Sequence, residues 1–141
     1  MYLLDTNVVS EFRKGRRANV GVANFLATVN REHIPTFISA ISVGELKRGA
    51  EQVRRRGDSA QASRLTAWLD KVLASHYAKV LPFDTEAGVV WGSLCAIDPS
   101  HAIDKQVAAI ALLHDLTVVT RNTADFARTG VRLLNPFADR R

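Results

Sequence analysis

The chain has 141 residues, 47% of them hydrophobic, and a net charge of +5. That is the size of one domain with a single core, burying about 70% of its unfolded surface, and no stretch approaches the roughly 20 apolar residues a membrane span needs. A single cysteine, Cys95, excludes an internal disulfide and suits a reducing cytoplasm, and the short apolar opening run lacks the features of a signal peptide.

Tyr2-Leu3-Leu4 is an unbroken apolar run and reads as a strand buried on both faces, with Asp5 at its carboxyl end. Val8 to Lys14 carries Val8, Val9 and Phe12 at helical spacing before the loop Gly15-Arg16-Arg17. A second helix is expected from Asn19 to Arg31, with Val22, Phe25, Leu26 and Val29 on one face. Ile34 to Ser39 is rich in strand formers, and Pro35 fits only at its start or on an edge. Ser42-Val-Gly-Glu45 opens a helix to about Arg56, and Gly57-Asp58-Ser59 is a turn. A long helix follows from about Ala60 to Ala78, with Leu65, Trp68, Leu69, Val72 and Leu73 on its apolar side.

Val80 to Phe83 is a short strand, and Asp84 caps a helix running through Ile97. Cys95, among Trp91, Leu94 and Ile97, reads as an inert core thiol. After the loop Asp98-Pro99-Ser100-His101, a helix from Ile103 to His114 leads into the strand Leu116 to Thr120. A helical turn at Asn122 to Phe126 and a last strand at Val131 to Leu134 complete the chain. Strands alternate with helices throughout, so the expected fold is α/β: one domain over residues 1–141, in which helices cover both faces of a mostly parallel sheet.

Four acids fall at strand-to-helix junctions: Asp5, Glu45, Asp104 and Asp125. Each has an ordinary structural explanation. Asp5 would serve as an N-cap. Ser42-x-x-Glu45 is a capping-box sequence, and Asp104 and Asp125 lie in first helical turns, where the macrodipole favours negative charge. Together they point elsewhere. If the first and fourth strands are neighbours where strand order reverses, Asp5 and Asp125 converge on the crevice at the switch point, with Glu45 and Asp104 entering from the flanks. Like charges so close cannot all stay ionised unaided. A hard divalent cation, Mg²⁺ or Mn²⁺, resolves the conflict. Zinc is disfavoured because His33, His76, His101 and His114 are scattered and read as surface or interface residues.

Carboxylate-held metal beside an excess of arginine, which makes up 14 of the 19 basic residues, suggests phosphodiester hydrolysis, the ion polarising the phosphoryl oxygen and activating water. No Ser-His-Asp or Cys-His set and no G-x-x-x-x-G-K-[ST] loop competes.

The segments Leu4-Asp-Thr-Asn-Val-Val-Ser-Glu11, Ser42-Val-Gly-Glu45-Leu46, Asp104-Lys-Gln-Val-Ala-Ala-Ile-Ala111 and Val119-Thr-Arg-Asn-Thr-Ala-Asp-Phe126 resemble the PIN-domain family, in particular the VapC-type toxins of toxin–antitoxin pairs. The resemblance runs in register over nearly the whole chain, to Asn135-Pro-Phe137. It implies a five-stranded α/β/α fold and a cytoplasmic, Mg²⁺- or Mn²⁺-dependent endoribonuclease toxin with Asp5, Glu45, Asp104 and Asp125 as its acidic site. It further implies support from Thr120 and Asn122, a homodimer, inhibition by a cognate antitoxin, and a larger assembly on operator DNA through that antitoxin. A catalytically weak PIN-fold module that binds nucleic acid or protein is the alternative. HAD-like phosphohydrolases need Asp-x-Asp, and Asn7 holds the second position.

Asn7, beside Asp5, reads equally as a site residue or an early helix residue. Lys105-Gln106 departs from the small or apolar residues of many relatives, with Lys105 expected to point outward or to reach a phosphate. Glu11 is expected on a helix surface or interface. Arg13, Lys14, Arg16 and Arg17 form one basic cluster and Arg54-Arg55-Arg56 another, each either an RNA track or a solvated face. Arg121 would meet substrate phosphate or pair with Asp125.

Overall fold

A computed structural model describes residues 1–76 and 79–138. In chain order the elements are β1 (Tyr2–Leu4), α1 (Thr6–Glu11), a 3₁₀ turn (Phe12–Arg17), α2 (Val20–Arg31), β2 (Thr36–Ser39), α3 (Ala40–Arg55) and α4 (Ser59–His76). Then come β3 (Val80–Leu81), α5 (Thr85–Ile97), α6 (Ala102–Leu113), β4 (Thr117–Val119), a second 3₁₀ turn (Thr123–Phe126) and β5 (Leu133–Leu134). The expected end of α4 at Ala78 lies outside the described residues.

The five strands form one sheet in the order β3-β2-β1-β4-β5, every pair parallel. The sheet is thus wholly rather than mostly parallel, as short crossover-connected strands require. Side chains alternate across it. Leu3 and Val118 enter a core with Val107, Ala108, Ile110 and Phe126, under α5 and α6. Their neighbours Leu4, Ile38 and Val119 enter a second core with Val8, Val9, Val22 and Val72, under α1, α2 and α4. Cover on both faces is why these strands read as unbroken apolar runs.

From β1 the chain moves outward to β2 and β3 on one side, then returns to place β4 and β5 on the other. The switch point therefore lies between the carboxyl ends of β1 and β4, just where Asp5 and Thr120 stand. The Asp5 amide donates to the Val119 carbonyl at 3.0 Å and locks the two strand ends together. Pro35 precedes β2, where it costs no ladder bond, and its carbonyl accepts from the Tyr2 amide at 3.1 Å.

Several local expectations change. The first helix starts at Thr6 and ends at Glu11, where the backbone tightens into a 3₁₀ turn containing Gly15 at φ 53. Only glycine adopts that conformation without strain. Ser39, not Ser42, caps α3: its hydroxyl accepts from the Ser42 amide at 3.0 Å, so no Ser42–Glu45 capping box forms. The helix begins directly at the end of β2, three residues earlier than the motif implies. Glu11 is buried rather than on a surface, its carboxylate accepting from the Asn19 amide at 2.9 Å and from Lys14 Nζ at 2.6 Å. Burial disfavours its charge, but these donors outweigh that and hold its pKa below the usual range. Cys95 is only partly buried, so it is not the enclosed core thiol expected, and Ile97, on the other side of α5, is 63% exposed. The buried side of α5, with Ala87 and Leu94, packs against α6.

Candidate active site

Asp5 is 3% exposed. Its Oδ1 accepts from the Thr6 amide at 2.9 Å, which makes it the N-cap of α1, as one reading of the sequence held. The other oxygen, Oδ2, accepts from the Thr120 hydroxyl at 2.8 Å and lies 3.4 Å from Asn7 Nδ2. Capping and site membership are therefore the same geometry.

Glu45 enters from α3, where Thr6 Oγ1 donates to its Oε1 at 2.9 Å and Arg48 lies 4.0 Å from Oε2. Thr6 thus joins two acids, its amide on Asp5 and its hydroxyl on Glu45. Asp104, in the first turn of α6, and Asp125, in the second 3₁₀ turn, face each other across His101. Nδ1 of that histidine lies 3.8 Å from Asp104 Oδ2 and 3.7 Å from Asp125 Oδ1.

Asp104 senses the other three acids. Burial and the charges of Asp5, Asp125 and Glu45 push the Asp104 pKa up to about 6, against a smaller opposing effect of His101. Burial likewise raises Asp5, with hydrogen bonds from Thr120 and Thr6 pulling the other way and Asp125 adding to the rise. Among the described residues no lysine or arginine pairs with Asp5, Asp104 or Asp125. One buried carboxylate, Asp5, near the partly buried Asp104 and Asp125, with no lysine or arginine paired to them, is a donor set that a hard divalent ion fits.

Thr120 is fully buried and organises the supporting contacts. It accepts from Asn7 Nδ2 at 3.1 Å and from the Asn122 amide at 3.0 Å. Asn122 therefore acts through its backbone. Asn7 does more than begin a helix, since its Oδ1 also accepts from the Arg121 amide at 3.1 Å. Arg121 does not pair with Asp125. Its guanidinium stacks over the Phe137 ring, 4.0 Å from the centroid.

Lys105 neither points outward nor stands ready for a phosphate. It is 1% exposed, donates to the Ser100 carbonyl and lies 3.7 Å from Asp98 Oδ2. Being buried inside α6, it turns back onto the loop before the helix. Sequence reasoning missed Thr6, and it placed His101 on the surface, where it does lie, without joining it to the acids. His101 is half-exposed, yet it stands three positions before Asp104, the spacing that puts two residues on one helical face.

Two cavities open at the surface, the first lined in part by Glu45 and the second by none of the four acids. One, of about 330 Å³, lies between α1, α3 and α4 and is lined by Thr6, Arg13, Glu45, Leu46 and Trp68. The other, about 370 Å³, is lined by Glu11, Lys14, Asn19, Arg121 and Phe137.

A wholly parallel sheet covered by helices on both faces, with acidic side chains near its switch point, defines an α/β protein of the doubly wound kind. A family model described as PIN domain matches residues 2–131, and the chain belongs to that family. It is 32% identical to Toxin FitB of Neisseria gonorrhoeae, the alignment covering 99% of this chain and 100% of that protein. It is also 32% identical to VapC ribonuclease Y4jK of Sinorhizobium fredii, over 97% of this chain and 98% of the relative. The crystal structure of FitAcB from Neisseria gonorrhoeae superposes with a TM-score of 0.82 at 31% identity, covering 96% of this chain and 98% of that one.

Proposed function

We propose that this chain is the toxin of a toxin–antitoxin pair, a Mg²⁺- or Mn²⁺-dependent endoribonuclease acting as one cytoplasmic domain. The gathering of Asp5, Glu45, Asp104 and Asp125, with no lysine or arginine paired to Asp5, Asp104 or Asp125 among the described residues, carries the reading, since it gives the site a reason to hold a divalent ion. Similarity to a relative named as a ribonuclease and another named as a toxin supports the substrate class and the biological role.

In this reading the four acids hold the ion. When bound, it supplies Lewis-acid polarisation of the scissile phosphate and activates the attacking water. Thr120, Asn7 and Thr6 fix both oxygens of Asp5, and Thr6 fixes one oxygen of Glu45, so the carboxylates are oriented before substrate arrives. Arg13 on one side and Lys14 with Arg121 on the other supply positive charge for RNA phosphates, contacts that set affinity and salt dependence rather than sequence choice. A homodimer, neutralised by a small antitoxin that also brings it to operator DNA, completes the proposal.

Incubating the purified chain with RNA and Mg²⁺ or Mn²⁺ tests it, with chelated and Asp5→Asn reactions alongside. Cleavage is expected only from the wild type with metal. Cleavage that survives thorough chelation or Asp5→Asn overturns the reading, and RNA binding without cleavage points to the binding-module alternative.

A further inference from the structure

His101 has no task in the mechanism above, yet it is the one imidazole among the described residues that faces the acids. Its Nδ1 lies 3.8 Å from Asp104 Oδ2 and 3.7 Å from Asp125 Oδ1. Those separations are too long for hydrogen bonds, which fall near 2.7–3.2 Å. They do suit ligands of a common ion: two donors each about 2.1 Å from a metal stand roughly 3.0 Å apart at a right angle and about 4.2 Å apart when opposite. One ligand atom from each of the three residues lies within 4.8 Å of the other two. Like-charged carboxylates stand somewhat apart without an ion between them, and closing the set around one needs shifts of only about half an ångström.

The backbone points the same way. His101 precedes α6 in the left-handed conformation, φ 51 and ψ 48, and makes no side-chain capping bond. A non-glycine residue is strained in that geometry, and the surroundings must enforce it. They do so through the loop. Asp98 Oδ1 accepts from the Ser100 amide at 3.0 Å and its hydroxyl at 2.7 Å, and buried Lys105 holds the Ser100 carbonyl. Arg128 lies 4.0 Å from Asp98 on the outer side. The loop that carries the imidazole is thus bolted to α6, as a preorganised ligand requires.

We propose that His101 is a nitrogen ligand of the divalent cation held by Asp104 and Asp125, and that it makes this centre prefer Mn²⁺ to Mg²⁺. This rests on the metal-site reading above. Mg²⁺ favours oxygen donors and retained waters, whereas affinity for a site with an imidazole rises through the first transition row.

Mn²⁺ itself is the probe. Pulsed electron paramagnetic resonance of the Mn²⁺-loaded full chain is expected to show coupling to an imidazole nitrogen. Calorimetry should find Mn²⁺ bound at least tenfold more tightly than Mg²⁺. His101→Gly suits the positive φ and should fold, and His101→Asn, also tolerated there, serves as the second variant. Both are expected to lose the nitrogen coupling and about tenfold in Mn²⁺ affinity, while Mg²⁺ affinity shifts less than twofold. If Mn²⁺ binds with no nitrogen coupling, or the coupling survives both variants, His101 is not a ligand and the inference falls alone. If neither ion binds the wild type, or Asp104→Asn and Asp125→Asn leave binding unchanged, the metal-site reading falls and takes the inference with it.

Discussion

Thr120 Oγ1 donates to Asp5 Oδ2 at 2.8 Å, joining residues 115 positions apart. The same hydroxyl accepts from Asn7 Nδ2 and the Asn122 amide, so its one donor and both acceptor positions are in use. Nothing in this contact waits for a ligand. It sets the orientation of one Asp5 oxygen while the Thr6 amide sets that of the other.

Thr120→Val keeps the shape but strands the Asn122 amide and leaves Asn7 Nδ2 and Asp5 Oδ2 only their long 3.4 Å contact with each other. A loss of about 1–3 kcal/mol in stability is expected, together with loss of RNA cleavage. Thr120→Ser should retain most of both. Chemical denaturation paired with a cleavage assay checks this, and full activity in the valine variant would remove Thr120 from the site.

Glu45→Gln isolates charge from structure. Its amide oxygen still accepts from Thr6 Oγ1, and α3 keeps its true cap, Ser39. The expected outcome is a melting temperature within about 2 °C of wild type, a change well below 1 kcal/mol for this size, with cleavage abolished. A variant that unfolds yet still cuts RNA would make Glu45 a structural residue.

Asp104 gives a pH prediction for the metal-free protein. Its pKa rises from 3.8 in the unfolded chain to about 6 in the fold, so between those values the folded state binds more protons. Stability from this group is then present at low pH and lost as pH rises past about 6. Asp104→Asn, which stays neutral, should melt higher than wild type at pH 7.5 and equally near pH 4. Mg²⁺ at pH 7.5 should raise the wild-type melting temperature and leave the variant's nearly unchanged. The reverse order of midpoints at pH 7.5 would contradict the crowding of charges.

Lys105→Met preserves volume at a site 1% exposed but removes the bond to the Ser100 carbonyl. A cost of about 1–3 kcal/mol is expected from the orphaned carbonyl and loosened loop. Amide exchange should quicken at residues 98 to 102 ahead of the rest of the chain. Unchanged protection there would mean Lys105 does not hold the loop.

Much of the molecule was legible without coordinates. The apolar run Tyr2–Leu4, its match at Thr117–Val119 and the helices between them specify a parallel sheet covered on both faces, because only that arrangement buries unbroken strands. Asp5, at the end of the first strand, then marks the switch point once the first and fourth strands are neighbours. Local sequence could not tell which of two serines caps α3, because the answer depends on where β2 stops hydrogen bonding. Nor could it tell that Lys105 and Glu11 are buried. Each is a charged side chain in a helix, a pattern usually solvated, and only the partners brought by the fold, Ser100 for one and Asn19 for the other, repay their desolvation. His101 is the clearest division between the two sources. Its nearness to Asp104 is local, three residues along the chain, but its meeting with Asp125 depends on α6 and the turn after β4 packing side by side. The sequence determined which groups could do chemistry at this crevice. Long-range packing decided which of them stand within reach of one another.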